Sequence, residues 1–278
     1  MLNICSWGGG VQSSTLLIMS DRGMLPKLDA AVFSDTRAEP AEVYRWVDYV
    51  RERITSFPIF VVSRGNLYAD SLVLKRSGRS GKLYQKNLIP YFLKNPDGSD
   101  GFLHRKCTSE YKIREVVKKA RELVGPKLIR DWHRDTRKGL APPPLMRAWI
   151  GISSDESQRA KPSPEGWIEN HFPLLEKSMS RDDCLRLMHE LGFPRPPRSS
   201  CVFCPYHSDA EWFRLKSEHP ADFARAVQFE RDAQRVHKKD EAIKATGIYL
   251  HASRVPLSKV TFNPKDNAGY TCDGFCSI

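Results

Sequence analysis

The sequence has no apolar run approaching the roughly 18–20 residues that a membrane-spanning helix needs; its longest is about the size of Thr15-Leu16-Leu17-Ile18-Met19. Its first residues, Met1-Leu2-Asn3-Ile4-Cys5-Ser6, show neither the charged segment nor the apolar stretch of an export signal. Together these absences lead to the expectation of a cytoplasmic chain with no membrane partner. No internal repeat and no low-complexity tract occurs, which excludes solenoids, propellers and disordered arrays. Neither G-x-x-x-x-G-K-[ST] nor G-x-G-x-x-G fits its N-terminal glycines, so Walker A and dinucleotide fingerprints are excluded. No recognisable RNA- or DNA-binding module is present.

What is there suits a globular protein. Hydrophobic residues make up 40% of 278, enough for a substantial core, and the length suits one large domain with a smaller module or two modest domains. Lys and Arg exceed Asp and Glu by 44 to 33, and the net +11 favours acidic partners such as nucleotides or nucleic acid. Seven cysteines without an export signal are expected as thiols in a reducing compartment, available for metal, cluster or sulfur chemistry.

The first 62 residues alternate strand and helix. Leu2 to Cys5 reads as a strand entering Gly8-Gly9-Gly10, and Ser13, Ser14 and Thr15 offer hydroxyls at the start of a helix through Met19. Asp29 to Phe33 reads as the second strand and Phe57 to Val62 as the third. Between them Val43, Trp46 or Val47, Val50 and Ile54 mark the buried stripe of a helix. This alternation predicts an α/β fold with a doubly wound, mostly parallel sheet and helices on both faces. Residues 75–106 read as a basic loop-like stretch, Tyr111 to Val124 as a helix, residues 130–147 as an exposed insertion, and Ala148 to Ile152 as a returning strand. Helices are expected over Arg181 to Leu191 and from Ala210 to about Thr246, broken near Pro220. The expected division is an α/β nucleotide-binding domain over 1–175 and a helical, cysteine-containing module over 176–278.

The segment Ser6-Trp7-Gly8-Gly9-Gly10-Val11-Gln12-Ser13-Ser14 carries the clearest chemistry. Glycines between a strand and a helix let backbone approach an anion, and the helix start points free N–H groups at it. A tight turn without ligand is the plain alternative. Ser6, Gly8, Gly9, Gly10, Gln12, Ser13 and Ser14 are therefore candidate nucleotide-binding residues.

Several segments, in order, resemble the PP-loop superfamily of adenine-nucleotide alpha hydrolases, in particular its phosphoadenosine-phosphosulfate (PAPS) reductase-like branch. The glycine loop resembles S-G-G-x-D-S. Asp35-Thr36-Arg37-Ala38-Glu39-Pro40 resembles D-T-G-x-E-x-P, and Arg105-Lys106-Cys107-Thr108 with Lys112-Ile113 resembles C-T-x-x-x-K-I. Gly151-Ile152-Ser153-Ser154-Asp155-Glu156-Ser157-Gln158-Arg159 resembles G-I-R-x-D-E-S-x-R. The resemblance, over roughly residues 2 to 230, implies a PP-loop fold, ATP or PAPS as nucleotide, and a site where Asp35 and Thr36 border the adenosine. It further implies that Asp35, Asp155 and Arg159 serve catalysis, with Arg159 neutralising developing charge. Two departures stand out. Gln12 replaces the aspartate of the ATP-using enzymes, so any Mg²⁺ among the phosphates would need Asp35, Glu39, Asp155 or Glu156. The reductases' E-C-G-x-H tail is replaced by Cys272-Asp273-Gly274-Phe275-Cys276.

Cys201-Val202-Phe203-Cys204 is a C-x-x-C, a spacing at which two thiolates can face one metal or cluster edge. The resemblance implies a 4Fe-4S cluster held by Cys107, Cys201, Cys204 and Cys276, with Cys272 as alternative fourth ligand. A structural zinc on four cysteines, or on three with His104 or His207, is the rival. Cys5 and Cys184 read as core residues, as do Trp212, Phe213, Leu215, Phe223, Val227 and Phe229 of the following helix.

Basic residues at 75–86 and 127–138 are either a solvated face or a phosphate-contacting footprint. The reading that joins these features is ATP-dependent adenylation and sulfur transfer to a tRNA or DNA acceptor, with a sulfur donor or reductant protein as partner. Sulfonucleotide reduction, and a non-catalytic nucleotide- or nucleic-acid-binding protein with structural zinc, are the alternatives.

Overall fold

The structure, a computed structural model, describes residues 1–267. The chain opens with β1 (Leu2–Trp7), α1 (Val11–Asp21), β2 (Ala30–Ser34), α2 (Ala41–Arg53) and β3 (Ile59–Val62). After an irregular middle it resumes with β8 (Met146–Ile150) and β9 (Ile168–His171), giving a five-stranded, all-parallel sheet in the order β3-β2-β1-β8-β9. Parallel strands covered on both faces are apolar throughout, and every residue of β2 is buried.

Pleating sends alternate residues of β1 to opposite cores. Cys5 and Trp7 face α1, α2, the short α6 (Pro173–Glu176) and the later helix α7 (Arg181–Glu190), where Leu17, Trp46, Val50, Leu174, Cys184 and Met188 pack. Ile4 faces α4 (Arg114–Val124) and α5 (Pro126–Arg137), which contribute Val116, Ala120 and Ile129. The chain builds outward from β1 to β3, then returns to the other side of β1 for β8. Strand order therefore reverses between β1 and β8, and open α/β sheets bind ligands outside the carboxyl ends of strands at such a point.

The middle of the chain builds α3 (Leu67–Ser71), a hairpin of β4 (Leu74–Arg76) and β5 (Leu83–Gln85), and a second antiparallel pair, β6 (Phe92–Lys94) and β7 (Asp100–Phe102). A third core joins this region to α8 (Asp209–Glu218), α9 (Pro220–His237) and β10 (Gly247–Tyr249), around Tyr91, Tyr111, Phe203, Trp212 and Phe229. Packing thus crosses residue 175: α7 lies against α1 in the first core, and β10 pairs antiparallel with β6, Ile248 opposite Leu93.

Four expectations are corrected. The basic stretch at 75–106 is not a loop but carries the two strand pairs. Residues 130–147 are not wholly an insertion: Pro126 starts α5, which buries Ile129 and continues to Arg137. The last long helix ends at His237, not near Thr246, and residues 247–249 are strand. Phe213 is 44% exposed, whereas Trp212 and Phe229 are fully buried. No helix among the described residues is long and apolar enough to cross a membrane.

Candidate nucleotide and thiol site

Gly8, Gly9 and Gly10 connect β1 to α1 at the reversal point. Gly9 has φ +76°, a left-handed conformation in which glycine alone is unstrained. Gly10 is the N-cap of α1 and no side chain caps that helix end; its first-turn donors remain to be met by something else. Ser13 Oγ accepts from Gly8 N at 3.2 Å, closing the loop on itself. Ser6 is half-buried at the loop's entrance. Ser14 departs from the expected set of phosphate donors: it is fully buried within α1, its Oγ accepting from Trp7 Nε1 at 2.9 Å and Trp46 Nε1 at 3.1 Å. The hydroxyl serves the core, not the loop.

At the end of β2, Asp35 Oδ1 accepts from Arg37 N at 2.7 Å and from Tyr44 Oη at 2.9 Å. Burial, then the Asp35 charge, raises the Tyr44 phenol, so it stays a donor. Arg37 has φ +57°, where the resembled motif has glycine. Thr36 is buried and its Oγ1 donates to Glu39 Oε1 at 3.3 Å. Glu39 is fully buried; Lys112 Nζ lies 3.3 Å from its Oε1, while Oε2 has no hydrogen-bond partner.

After β8, the bend from Gly151 carries a short 3₁₀ segment, Ser154–Arg159. Gln12 Nε2 donates to Ser153 Oγ at 3.3 Å and to Glu156 Oε2 at 3.5 Å, and Arg181 Nη1 donates to Gln12 Oε1 at 3.1 Å. Arg159 pairs with Glu156, and Arg181 N donates to Asp155 Oδ1 at 3.1 Å. Burial pushes the Asp155 carboxyl up, but hydrogen bonds from Ser153, its own backbone and Arg181 N together with the Arg181 charge hold it below the usual range.

The thiols arrive from two directions. Cys107 immediately precedes a π-helical stretch, Thr108–Ile113, that runs into α4, and it packs against the third core, to which Cys201 belongs. Ser199, two residues before Cys201, donates its hydroxyl to Gly8 O and so ties the C-x-x-C segment to the glycine loop. Cys201 Sγ lies 3.4 Å from Thr36 Oγ1 and 3.9 Å from Glu39 Oε1. Burial raises all three thiols: Cys107, Cys201 well above its ordinary value, and Cys204 to about 11. The Cys107 charge raises Cys201 and Cys204 further, so the three share one electrostatic neighbourhood. Among the described residues, however, no group of three or more His, Cys, Asp or Glu is arranged to hold a metal ion; Cys201 is turned towards Thr36 and Glu39. Cys272 and Cys276 lie outside the described residues. Of the alternative ligands, His104 is exposed, and burial pushes His207 down to about 3, leaving it neutral with Nε2 2.7 Å from Ser200 Oγ. Cys5 and Cys184 are core residues.

The structure therefore gathers the loop, Asp35, Thr36, Asp155, Arg159, Cys107, Cys201 and Cys204 at the carboxyl ends of β1, β2 and β8. Arg181, Ser199 and Tyr44 join them without having been singled out from the sequence; the nearest signals were the capping pair Ser180 and Asp183 beside Arg181 and the serines preceding C-x-x-C. The basic face of α5 lies elsewhere. Trp132 Nε1 donates to Pro143 O, three residues before β8, at the amino ends of the strands. An open depression of about 560 Å³ there is lined by Arg130, Asp131, His133, Arg134 and Arg137.

Comparison with protein-family models gives no match for the chain, and comparison with curated proteins gives none either.

Proposed function

We propose that the chain is a PAPS-reductase-like PP-loop enzyme that binds an adenine nucleotide at Gly8 to Ser13 and uses it to handle sulfur. The observation that carries this reading is the Ser199 to Gly8 hydrogen bond, which joins a cysteine pair to a glycine loop at the reversal point of a parallel sheet. In the first chemistry, an oxygen of a nucleic-acid acceptor attacks the α-phosphorus of ATP and diphosphate leaves; a sulfur nucleophile then displaces AMP. Backbone N–H groups of the loop and Ser13 orient the phosphates, Asp35 and Thr36 border the adenosine, and Arg159 offsets charge on the reacting group. Sulfonucleotide reduction is the second reading, favoured by Gln12, whose amide lacks the charge that a phosphate-bound Mg²⁺ would draw on.

A 4Fe-4S cluster, when bound, would supply soft iron for binding sulfur or passing electrons. Cys107, Cys201 and Cys204 fit it as soft donors, with Cys272 or Cys276 completing the set; zinc would use the same thiols structurally. Ala210 N donates to Asp266 O at 3.0 Å, fixing Asp266 beside the start of α8, close in sequence to Cys204.

Anaerobic purification followed by iron, sulfide and zinc analysis tests the reading. About four iron and about four sulfide per chain, lost in Cys201→Ala while ATP or PAPS binding survives, is the expected result. Zinc near one per chain without iron overturns it in favour of a non-catalytic binding protein.

A further inference from the structure

Gln12 bridges α1 to the segment after β8 and to α7, and its amide oxygen accepts from a cation. Its Oε1 accepts from Arg181 Nη1 at 3.1 Å, and its Nε2 donates towards Ser153 Oγ and Glu156 Oε2. This polarity is forced: a guanidinium has only donors, so the amide must present oxygen to Arg181 and nitrogen to the acceptors opposite. The amide is therefore oriented with its oxygen towards Arg181 and its nitrogen towards Ser153 and Glu156.

The charges around this amide are unequal in what they leave over. Glu156 is paired with Arg159, and Asp183 with Arg186 and the Ser180 cap. Asp155 accepts from the Arg181 backbone N–H and also feels the charge of its guanidinium. The Arg181 guanidinium itself is hydrogen-bonded to a neutral amide. It brings positive charge, partly met by Asp155, beside the first turn of α1, where uncapped N–H groups already favour an anion.

We infer that Arg181, acting through Gln12, is a positioning residue that lets the glycine loop hold the anionic end of its nucleotide without a divalent cation. The inference rests on the nucleotide reading of the preceding section and adds to it how the phosphate or sulfonate charge is met. With no carboxylate at position 12 and its amide oxygen turned to Arg181, the first turn of α1 meets an anion with N–H groups backed by the Arg181 charge rather than with a bridging metal ion.

Equilibrium dialysis of the full chain against ATP and, separately, PAPS, each in EDTA and in Mg²⁺, tests it. The expected result is wild-type affinity for at least one of them equal within about twofold in the two buffers. Arg181→Ala weakens that binding about tenfold or more in EDTA, and Arg181→Lys recovers part of the loss. Gln12→Asp alone, whose carboxylate pairs with Arg181, leaves binding equal in the two buffers, and adding Arg181→Ala makes it depend on Mg²⁺, a contrast that a merely structural role for Arg181 would not produce. Thermal unfolding of each variant confirms that it is folded. Wild-type binding that requires Mg²⁺, or that Arg181→Ala leaves unchanged in EDTA, overturns the inference and leaves the nucleotide reading standing. Failure of both nucleotides to bind the wild-type chain in either buffer overturns both.

Discussion

Gly151 lies so close to Ser13 that a Cβ placed on it would sit 2.5 Å from the Ser13 nitrogen and 2.7 Å from its Cα. The neighbours are backbone, which cannot rotate away, so the bend after β8 can meet the first turn of α1 only where no side chain intervenes. Gly151→Ala should force the two apart and cost about 1–3 kcal/mol, the usual range for overpacking. Urea unfolding would measure that loss, and weaker nucleotide binding should accompany it because Ser13 and Gln12 move with the helix end.

Ser13 and Ser14 should behave as opposites. Ser14 Oγ accepts from two indole N–H groups inside the core, so Ser14→Ala leaves both donors without their shared acceptor and should cost about 1–3 kcal/mol of stability. Nucleotide affinity, measured where the variant is folded, should stay near wild type. Ser13→Ala should instead lower nucleotide affinity with little change in the unfolding midpoint.

Alkaline pH should destabilise the chain partly through Cys184. Burial raises this thiol from 9.0 to about 11. Its folded value lies above its unfolded one, so the stabilisation is complete below about pH 9 and is lost as pH rises towards 11, where the unfolded chain has already released the proton. One such thiol gives a slope of about 1.4 kcal/mol per pH unit. Unfolding curves between pH 8 and 11 should be flatter with pH in Cys184→Ala than in wild type, on top of a constant loss from packing.

The α5 face should bind polyanions independently of the nucleotide. Arg130, Arg134 and Arg137 lie along a depression at the amino ends of the strands, away from the glycine loop. Affinity for a generic nucleic acid should fall steeply from 50 to 300 mM salt and drop on replacing these arginines with alanine, while ATP should not compete. A flat salt response would remove nucleic acid as a partner of this face.

The parts of the fold legible in the sequence were those written in local periodicity. β1 to β3 and α2 followed from short apolar runs and the Val43, Trp46, Val47, Val50 stripe, all of it buried. Glycines 8 to 10, Asp35 and Gly151 stood at strand ends, so their gathering followed from parallel strands alone. Arg37 shows a site feature hidden by residue type: the backbone is left-handed there although the letter is arginine. Arg181 and Ser199 were not legible because their partners are 169 and 191 residues away. The β6–β10 pairing was missed because strands of three residues carry too little pattern to register. In α5, alternating charges masked a helix that Pro126 and the spacing of Ile129 and Trp132 would have supported. Ser14 is illegible in sequence because a hydroxyl beside a glycine loop and one facing two tryptophans look alike there.

The central claim, that glycine loop and cysteines form one site, is tested most directly by following the visible absorption of anaerobically purified protein while ATP or PAPS is added. The account predicts an iron–sulfide band that shifts saturably with nucleotide, with the same midpoint as direct binding. A protein without that band, or a band that ignores a nucleotide known to be bound, would contradict it.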